Sequence, residues 1–398
     1  MKRRYPMHPL SRPWTLVLAA LAVACADGER ASSTPDASTE SVDVRWPVDA
    51  ASGLRLPSLG PVPPLPNWAD NPESDAKRTL GLDLFADVRL SSSGTLTCGN
   101  CHSPVADFQS NTPRDVPARS LPDISLPLPR HSPSLINIVY AKVLHWDGSE
   151  SNLYESMVRP FAEANMNLTD VPRGDVWTVD VPAAKKKLKA KLTQEIPGYV
   201  PLFQAAFGVD ITTQTEDQVW LLAGKALATY IRIAVSRDSA FDAWNAGDST
   251  AMSESAKRGF ELFVRKGRCS YCHGGPLFSD YEFHNLSLVA FDDGGDPIDT
   301  GRERVTGDPA DRGKFLTPSL RRVTKTSPYF HDGRQAILGR VIQHHVSAAS
   351  RTDPNHDPVL DEIPELDRDQ LSDLIQFLKA IAGKPIPEEL TKLAVQLP

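Results

Sequence analysis

The chain has 398 residues, enough for two domains of ordinary size. Its composition, with 40% hydrophobic and 23% charged residues, is that of a globular protein. The formal net charge of -7 gives no indication of a basic surface, so we expect no nucleic-acid partner. A count of 34 prolines and an aromatic content of 7% favour long loops around helices over a large sheet.

The N-terminus is typical of an export signal. A basic stretch precedes an apolar run, Trp14 to Ala24, that is too short to span a bilayer. The run ends in Ala22-Val23-Ala24-Cys25, which resembles a bacterial lipobox, whose cysteine is lipidated and becomes the new N-terminus. Ordinary cleavage before an unpaired cysteine is the alternative, because Ala22 stands where Leu is usual. We predict a lipoprotein-type signal over residues 1–24 and a periplasmic protein held at a bacterial membrane only by this lipid.

Residues 25–67 predict a disordered tether. The segment is rich in Ser, Thr, Asp and Pro, with Pro61, Pro63, Pro64 and Pro66 close together. Such a segment buries too little apolar surface to offset the entropy lost on ordering.

Helical patterns dominate the rest of the chain. Helix-start signals and apolar positions at three- and four-residue steps predict helices over Ser74–Asp87, Thr215–Ser236, Ser253–Arg265 and Asp369–Ala382. No alternating strand pattern of any length competes with them. The fold class is therefore mainly α, with long ordered loops such as 103–133 and 280–316.

Four of the five cysteines form two copies of one motif. Each copy is followed directly by a histidine: Cys98-Gly99-Asn100-Cys101-His102 and Cys269-Ser270-Tyr271-Cys272-His273. Two thiols one helical turn apart reach the two vinyl groups of one porphyrin as thioethers, and the histidine then ligates iron. A structural disulfide does not require a histidine after the second cysteine, and a thioredoxin-like site would follow a strand. A zinc site would require the two cysteine pairs to bind one ion together. The motifs predict two c-type cytochrome domains with one covalent haem c each, over residues 68–240 and 241–390.

Segments around these motifs carry a family resemblance. They are Leu96–Phe108, Arg130-His131-Ser132-Pro133-Ser134-Leu135, Trp146-Asp147-Gly148, Thr317-Pro318-Ser319-Leu320-Arg321 and Ser327-Pro328-Tyr329-Phe330-His331-Asp332-Gly333. In this order, over roughly residues 70–385, the chain resembles the bacterial di-haem cytochrome c peroxidase and MauG group.

The resemblance implies different roles for the two haems. The haem at Cys98, Cys101 and His102 would react with peroxide, and the haem at Cys269, Cys272 and His273 would accept or store electrons. Trp146 matches the tryptophan that lies between the haems and divides one long electron jump into shorter ones. The alternative for Trp146 is simple packing on a porphyrin edge.

Counting residues from the matching segments places further family positions on this sequence. The distal ligand of the second haem, Met or Tyr in the family, falls on His345, in an apparent helix that begins at Leu338, with His344 as the alternative. His331 is expected to have a structural or hydrogen-bonding role.

The chain departs from the family at the first haem. No histidine occurs from Ser103 to Arg130, where the peroxidases carry a capping histidine, so we predict an open, high-spin first haem. His131 as a cap is the alternative.

The polar residues that the family places near the first haem are also missing. Its Gln is replaced by Ser156, and its Glu falls on Asn165 or Met166. Glu163 is then the first candidate for moving the proton that peroxide cleavage requires, and Glu155 is the second. The alternative for either is a solvated helix charge.

A calcium ion between the domains is a further family feature. Backbone carbonyls at Thr326 and Pro328 remain available for it. His131, however, replaces the family's Asn and is a poor ligand for a hard cation. Calcium is therefore an open alternative.

Four functions can be weighed on the sequence. The leading one is an enzyme that reduces hydrogen peroxide and draws electrons from a small cytochrome c or cupredoxin. The first alternative is MauG-type oxidation of a residue on a partner protein. The second is a non-catalytic di-haem electron carrier, and a haem-based sensor ranks last.

Overall fold

The computed structural model describes residues 59–109, 129–163, 166–169, 177–289, 298–387 and 390. The predicted signal and residues 25–58 of the predicted tether lie outside these ranges. All described residues belong to one compact unit. The predicted boundary between residues 240 and 241 stays a prediction.

The described part of the chain is mainly helical, as the sequence predicts. Its α-helices are α1 (Asp75–Ala86), α2 (Cys98–Cys101), α3 (Leu153–Val158), α4 (Val181–Ala190), α5 (Tyr199–Phe207), α6 (Glu216–Ile231), α7 (Ala240–Asn245), α8 (Glu254–Val264), α9 (Glu303–Thr306), α10 (Leu338–Val346) and α11 (Arg368–Ala380). None of these described helices is long and apolar enough to span a membrane.

Two short strands were not predicted. β1 (Phe283–Asn285) pairs antiparallel with β2 (Lys314–Leu316), so that Phe283 lies opposite Leu316. Three residues are too few to show an alternating pattern, which is why the sequence does not reveal them.

Side-chain caps fix the starts of the predicted helices. Ser74 accepts a hydrogen bond from the Lys77 amide at the start of α1, and Thr215 and Gln218 form a capping box at the start of α6. Each such cap stabilises its helix by about 1 kcal/mol. Helix α6 ends at Ile231, earlier than predicted, because the chain turns there and the Ser236 amide donates to Asn137 Oδ1 at 3.0 Å.

The first hydrophobic core lies around α1 and α6. These helices cross at Gly81, where an added Cβ would lie 2.1 Å from the carbonyl oxygen of Ala226. Leu80, Leu84 and Tyr230 are buried at the crossing. The Cys98 motif follows α1 and packs against this core.

A second core repeats the arrangement around α8 and α11. Here the close crossing is at Gly259, where a Cβ would lie 2.0 Å from the carbonyl oxygen of Asp373. Aromatic rings fill the space behind it, namely those of Phe241, Phe260, Phe263, Phe278 and Phe377. The Cys269 motif follows α8, as the Cys98 motif follows α1.

Candidate functional site: two cavities on a repeated scaffold

The first cavity, of about 520 Å³, is lined by Cys98, Cys101 and His102. Helix α2 is a single turn, with Thr97 and Asn100 forming a capping box at its start. The two thiols therefore lie one turn apart on the cavity wall, and they are not joined by a disulfide. This is the geometry that attachment to one porphyrin requires.

His102 is oriented by the backbone. Its Nδ1 lies 3.1 Å from the carbonyl oxygen of Phe108, which fixes the tautomer with the proton on Nδ1 and leaves Nε2 as the ligand atom. Burial lowers the pKa of His102 to about 4, against the raising effect of this carbonyl. The imidazole is therefore neutral, as iron ligation requires.

The second cavity, of about 190 Å³, is lined by Cys269, Cys272, His273 and His345. His273 Nδ1 lies 3.0 Å from the carbonyl oxygen of Phe278, in the same arrangement as His102. The cavity thus has a histidine next to the thiols and a second histidine from a separate helix.

His345 enters this cavity from α10. Its Nδ1 lies 2.8 Å from the Val341 carbonyl oxygen, which leaves Nε2 as the ligand atom. Burial lowers the pKa of His345 to about 4, so this imidazole is neutral too. The alternative, His344, instead has its Nε2 2.7 Å from the Leu286 carbonyl oxygen and is absent from the described lining of the cavity.

Both donor sets fit a haem c. Each cavity offers two unpaired thiols one turn apart and an imidazole whose Nδ1 is already bonded, and the second cavity adds His345. Soft sulfur for thioether formation and neutral nitrogen for iron are what haem c attachment uses.

The two cavities are built on a longer repeat than the cysteine motifs alone. Residues 131–160 align with residues 316–345 at an offset of 185 positions. The left-handed residues Asn137 and Arg322 recur at this offset, as do the bridges Leu144–Glu150 and Tyr329–Gln335. The Ser134 hydroxyl donates to Asp107 O at 2.7 Å, and its counterpart Ser319 donates to Leu277 O at 2.6 Å. This repeat was not predicted from the sequence, although Pro-Ser-Leu and Asp-Gly recur at the same offset.

The backbone of the repeat makes reciprocal bonds between its two copies. The His131 amide donates to the carbonyl oxygen of His331 at 2.7 Å, and the Leu316 amide donates to that of Trp146 at 2.8 Å. Under the 185-residue shift the donors His131 and Leu316 are counterparts, and so are the acceptors Trp146 and His331. The two copies therefore face each other across a pseudo-twofold contact.

Glycines permit the close packing at this contact. Gly148 and Gly333 both have positive φ, +66° and +68°. A Cβ at Gly148 would lie 2.3 Å from the Phe283 ring, and one at Gly333 would lie 3.0 Å from the His131 ring. The positive φ favours glycine at both positions, and a Cβ there would crowd a neighbouring ring, which explains the two Asp-Gly pairs.

Trp146 lies between the cavities and lines both of them. Its Nε1 donates to the His131 carbonyl oxygen at 2.7 Å. His331, its counterpart in the repeat, is buried and stacks on Phe315 with ring centroids 3.5 Å apart. His331 also lines the second cavity, consistent with the structural role predicted for it.

Arg130 ties Trp146 to the opposite half of the fold. The guanidinium forms ion pairs of 2.6 Å with Asp147, the neighbour of Trp146, and with Asp299. Burial would raise the pKa of Asp147, but Arg130 more than offsets this and lowers it. All three groups are mostly buried, so the pairs fix the indole position more firmly than surface ion pairs would.

The predicted proton-moving residues lie in different environments. Glu163 lines the first cavity, where its carboxylate accepts from Arg159 Nε at 2.8 Å. Glu155 accepts from the Trp220 Nε1 at 2.8 Å and is absent from the described lining of that cavity. Met166 is buried against the cavity, and Asn165 lies outside the described residues.

His145 also lines the first cavity, although it was not predicted as a site residue. Its Nε2 lies 3.1 Å from the Ser156 hydroxyl oxygen. The signal was its position immediately before Trp146, but one histidine beside a tryptophan is too common to carry a prediction.

The donor set expected for calcium does not fit that ion. Gln109 Nε2 donates to the carbonyl oxygens of Thr326 and Pro328 at 2.7 and 2.8 Å, and lies 3.4 Å from His131 Nδ1. The amide group thus occupies the point where these oxygens converge. His131 presents ring nitrogen where calcium prefers oxygen.

The fold and the paired sites together define the chain as a c-type cytochrome. Comparisons with known proteins are more specific. Residues 75–250 match the di-haem cytochrome c peroxidase family.

Similar proteins cover nearly the whole chain. The methylamine utilization protein MauG of Methylorubrum extorquens is 31% identical over 97% of this chain and 98% of its own length. The cytochrome-c peroxidase IdrP1 of Denitromonas iodatirespirans is 34% identical over 84% and 88%. A crystal structure of a MauG-like protein associated with microbial copper homeostasis superposes with a TM-score of 0.66, at 27% identity, over 83% of this chain and 96% of that one.

The chain belongs to the di-haem cytochrome c peroxidase family. It is therefore an oxidoreductase of the peroxidase type, and membership implies haem c as its cofactor.

Proposed function

We propose that the protein is a periplasmic peroxidase that reduces hydrogen peroxide at the first cavity. Electrons would enter through the second cavity from a small redox protein, a cytochrome c or a cupredoxin. The observation that carries the proposal is Trp146, which lines both cavities and is held by backbone bonds to both copies of the repeat. An oxidisable indole at this point gives the two sites a common path for electrons.

The ligand residues have separate roles in this proposal. His102 and His273 would each hold the iron of one haem, and His345 would be a further ligand to the iron at the second cavity. When bound, the haems supply irons that exchange electrons and, at the first cavity, activate peroxide. With His273 and His345 both as ligands, the second site would be suited to electron transfer and not to binding peroxide.

The first site is suited to binding a small molecule. The counterpart of His345 in the repeat is Pro160, which has no ligand atom in its side chain. Its cavity is also the larger, at about 520 Å³ against 190 Å³. These features support the predicted open first haem, and they leave His131 as the alternative ligand to be tested.

Glu163 remains a candidate for proton movement at the first site, because its carboxylate is on the cavity wall. Glu155 is the weaker candidate, since its carboxylate already accepts a hydrogen bond from the Trp220 indole.

MauG-type oxidation of a partner protein is the second candidate function. The alignment with a MauG over 97% of this chain favours it, as does the loss of the family's Gln at Ser156 and of its Glu at Asn165 or Met166. In this case the oxidising equivalents shared through Trp146 would be drawn from a residue of the partner and not from a redox protein.

We also propose that the protein is anchored by a lipid on Cys25. The basic stretch, the short apolar run and the lipobox-like tetrapeptide support this. Incorporation of labelled fatty acid into the exported chain, abolished by Cys25→Ser, is the expected result. Labelling that survives this substitution would contradict the anchor.

The function is tested by adding peroxide to the haem-loaded protein with a reduced cytochrome c or cupredoxin. The peroxidase predicts oxidation of two donor molecules for each peroxide consumed. Peroxide consumption without oxidation of the donor, but with oxidation of a protein encoded by a neighbouring gene, would favour the MauG-type reaction. If neither site reacted with peroxide, the protein would be an electron carrier and the proposal would fail.

A further inference from the structure

The first cavity contains a polar pair that the family resemblance does not assign. His145 Nε2 and the Ser156 hydroxyl oxygen are 3.1 Å apart, and both residues line the cavity. We propose that His145, positioned by Ser156, is the residue that carries the proton during peroxide cleavage. The inference rests on the proposed peroxide reaction at the first site and names its acid–base group.

The repeat indicates on which side of the cavity this pair lies. In the second cavity, Val341 precedes the ligand His345 by one helical turn, and its carbonyl oxygen orients that histidine. Their counterparts in the first cavity are Ser156 and Pro160. The Ser156–His145 pair therefore lies on the face opposite the thiols and His102, where peroxide would enter.

The two copies of the repeat differ in chemistry at this point. His145 corresponds to Phe330, and Ser156 corresponds to Val341. Both of these residues in the second copy are apolar, whereas both in the first can hydrogen-bond. The position before Trp146 keeps the same left-handed backbone in both copies, with φ of 65° and 71°. The scaffold is thus unchanged and only the side chains are exchanged.

Charged groups surround His145 on several elements. Arg159 and Glu163 face it from the segment that follows α3, and Asp147 and Arg130 face it from the Trp146 side. Burial is the largest influence and lowers the pKa of His145, while Glu163 and Asp147 oppose this. The imidazole is therefore neutral near pH 7 and able to accept a proton.

Heterolysis of the O–O bond requires one proton to change oxygen atoms. The proton leaves the oxygen nearer the iron for His145, and His145 then delivers it to the farther oxygen. That oxygen departs with the bonding electron pair as water. The two electrons consumed come from the protein's redox centres. Their loss leaves two oxidising equivalents, which are shared through Trp146. General acid–base transfer of this kind contributes about 10²- to 10⁴-fold to a rate.

Glu163 is less suited to this step than His145. Its carboxylate is already bonded to the Arg159 guanidinium at 2.8 Å, with both side chains about one-fifth to one-quarter exposed. His145, in contrast, is held by one neutral hydroxyl. Glu163 then acts as an electrostatic neighbour of His145 and not as the proton carrier.

Cyanide binding tests the inference without turnover. Hydrogen cyanide must lose its proton to bind ferric haem, so a base in the cavity accelerates its association. We expect His145→Ala to slow cyanide association with the oxidised holoprotein by about 100-fold. His145→Gln, which can still hydrogen-bond to Ser156, should restore folding and spectrum but not the rate.

The pH profile adds a second readout. In the wild type the cyanide association rate should fall as the pH falls through the pKa of His145, because a protonated imidazole cannot accept a proton. The profile should be flat in His145→Gln. The matched control is His356→Ala, which removes a histidine bonded to Asp353 and Asp361 and absent from the described lining of either cavity. It should leave rate and profile unchanged.

Two results would overturn the inference. One is an unchanged cyanide rate and pH profile in His145→Gln, with Glu163→Gln slowing the reaction instead. The other is a low-spin first haem that becomes high-spin and binds cyanide faster in His145→Ala, since His145 would then be an iron ligand. Either outcome is distinct from failure of the proposed function, which is a wild type that binds cyanide normally but does not react with peroxide.

Discussion

The first and second cavities have the same framework and different linings. Each has a close helix crossing at a glycine, a histidine bonded through Nδ1 to a phenylalanine carbonyl, and a serine bonded to the loop after the cysteine motif. The differences are on the opposite face, where the first cavity has Pro160 and the second has His345. One scaffold can therefore support a site for chemistry and a site for electron transfer by exchanging a few side chains.

The most direct way to break this difference is to give the first cavity the second cavity's ligand. Pro160→His places imidazole at the position that corresponds to His345. We expect it to ligate the first iron and to abolish most of the peroxide turnover, because the open position is lost. Turnover measured beside the absorption spectrum checks this.

A conservative exchange at the same position controls for loss of the proline ring. Pro160→Val should keep the high-spin spectrum and most of the turnover. If Pro160→His also stays high-spin and active, the equivalence of positions 160 and 345 is wrong.

The reverse change opens the second cavity. His345→Ala removes the proposed sixth ligand, and the low-spin signal of the second haem should become high-spin. His345→Met should keep the site six-coordinate and raise its reduction potential, because thioether favours the reduced iron more than imidazole does. Redox titration and electron paramagnetic resonance measure both effects. His344→Ala is the matched control, and a loss of the low-spin signal in that variant would transfer the role to His344.

Trp146→Phe tests the link between the cavities. Phenylalanine keeps an aromatic ring but is much harder to oxidise, and it lacks the Nε1 donor to the His131 carbonyl. Peroxide should then oxidise the first site while the second responds at least an order of magnitude more slowly. Stopped-flow spectra of the two haems show this. Equal rates in Trp146→Phe and the wild type would reduce Trp146 to a packing role.

The smallest expected effect concerns calcium. Because the Gln109 amide already satisfies the carbonyls of Thr326 and Pro328, a chelator should change neither the melting temperature nor the activity. Gln109→Ala should destabilise the fold by about 1–3 kcal/mol, since it leaves two carbonyls without a donor. A melting temperature of the wild type that falls with chelator and recovers with calcium would show that the ion binds after all.

Local signals in the sequence predicted part of this picture. The capping residues Ser74 and Thr215 mark helix starts that the structure confirms, and the two cysteine motifs locate the cavities. These features depend on residues close together in the chain, where spacing and chemistry are enough.

Long-range packing produced what the sequence could not predict. Gln109 reaches carbonyls more than 200 residues away, and His145, which has a left-handed backbone, lies 3.1 Å from Ser156 in α3. The end of α6 depends in the same way on the bond between Ser236 and Asn137. No local pattern encodes such contacts, although the 185-residue repeat would have paired the two cavities.

Electron paramagnetic resonance of the oxidised holoprotein, before and after one equivalent of peroxide, tests the central claim most directly. Two differently lined sites that share electrons through Trp146 predict one high-spin and one low-spin signal, both lost on addition of peroxide. Two low-spin signals that do not change when peroxide is added would contradict the claim. The protein would then be an electron carrier with a protein ligand on the distal side of its first haem.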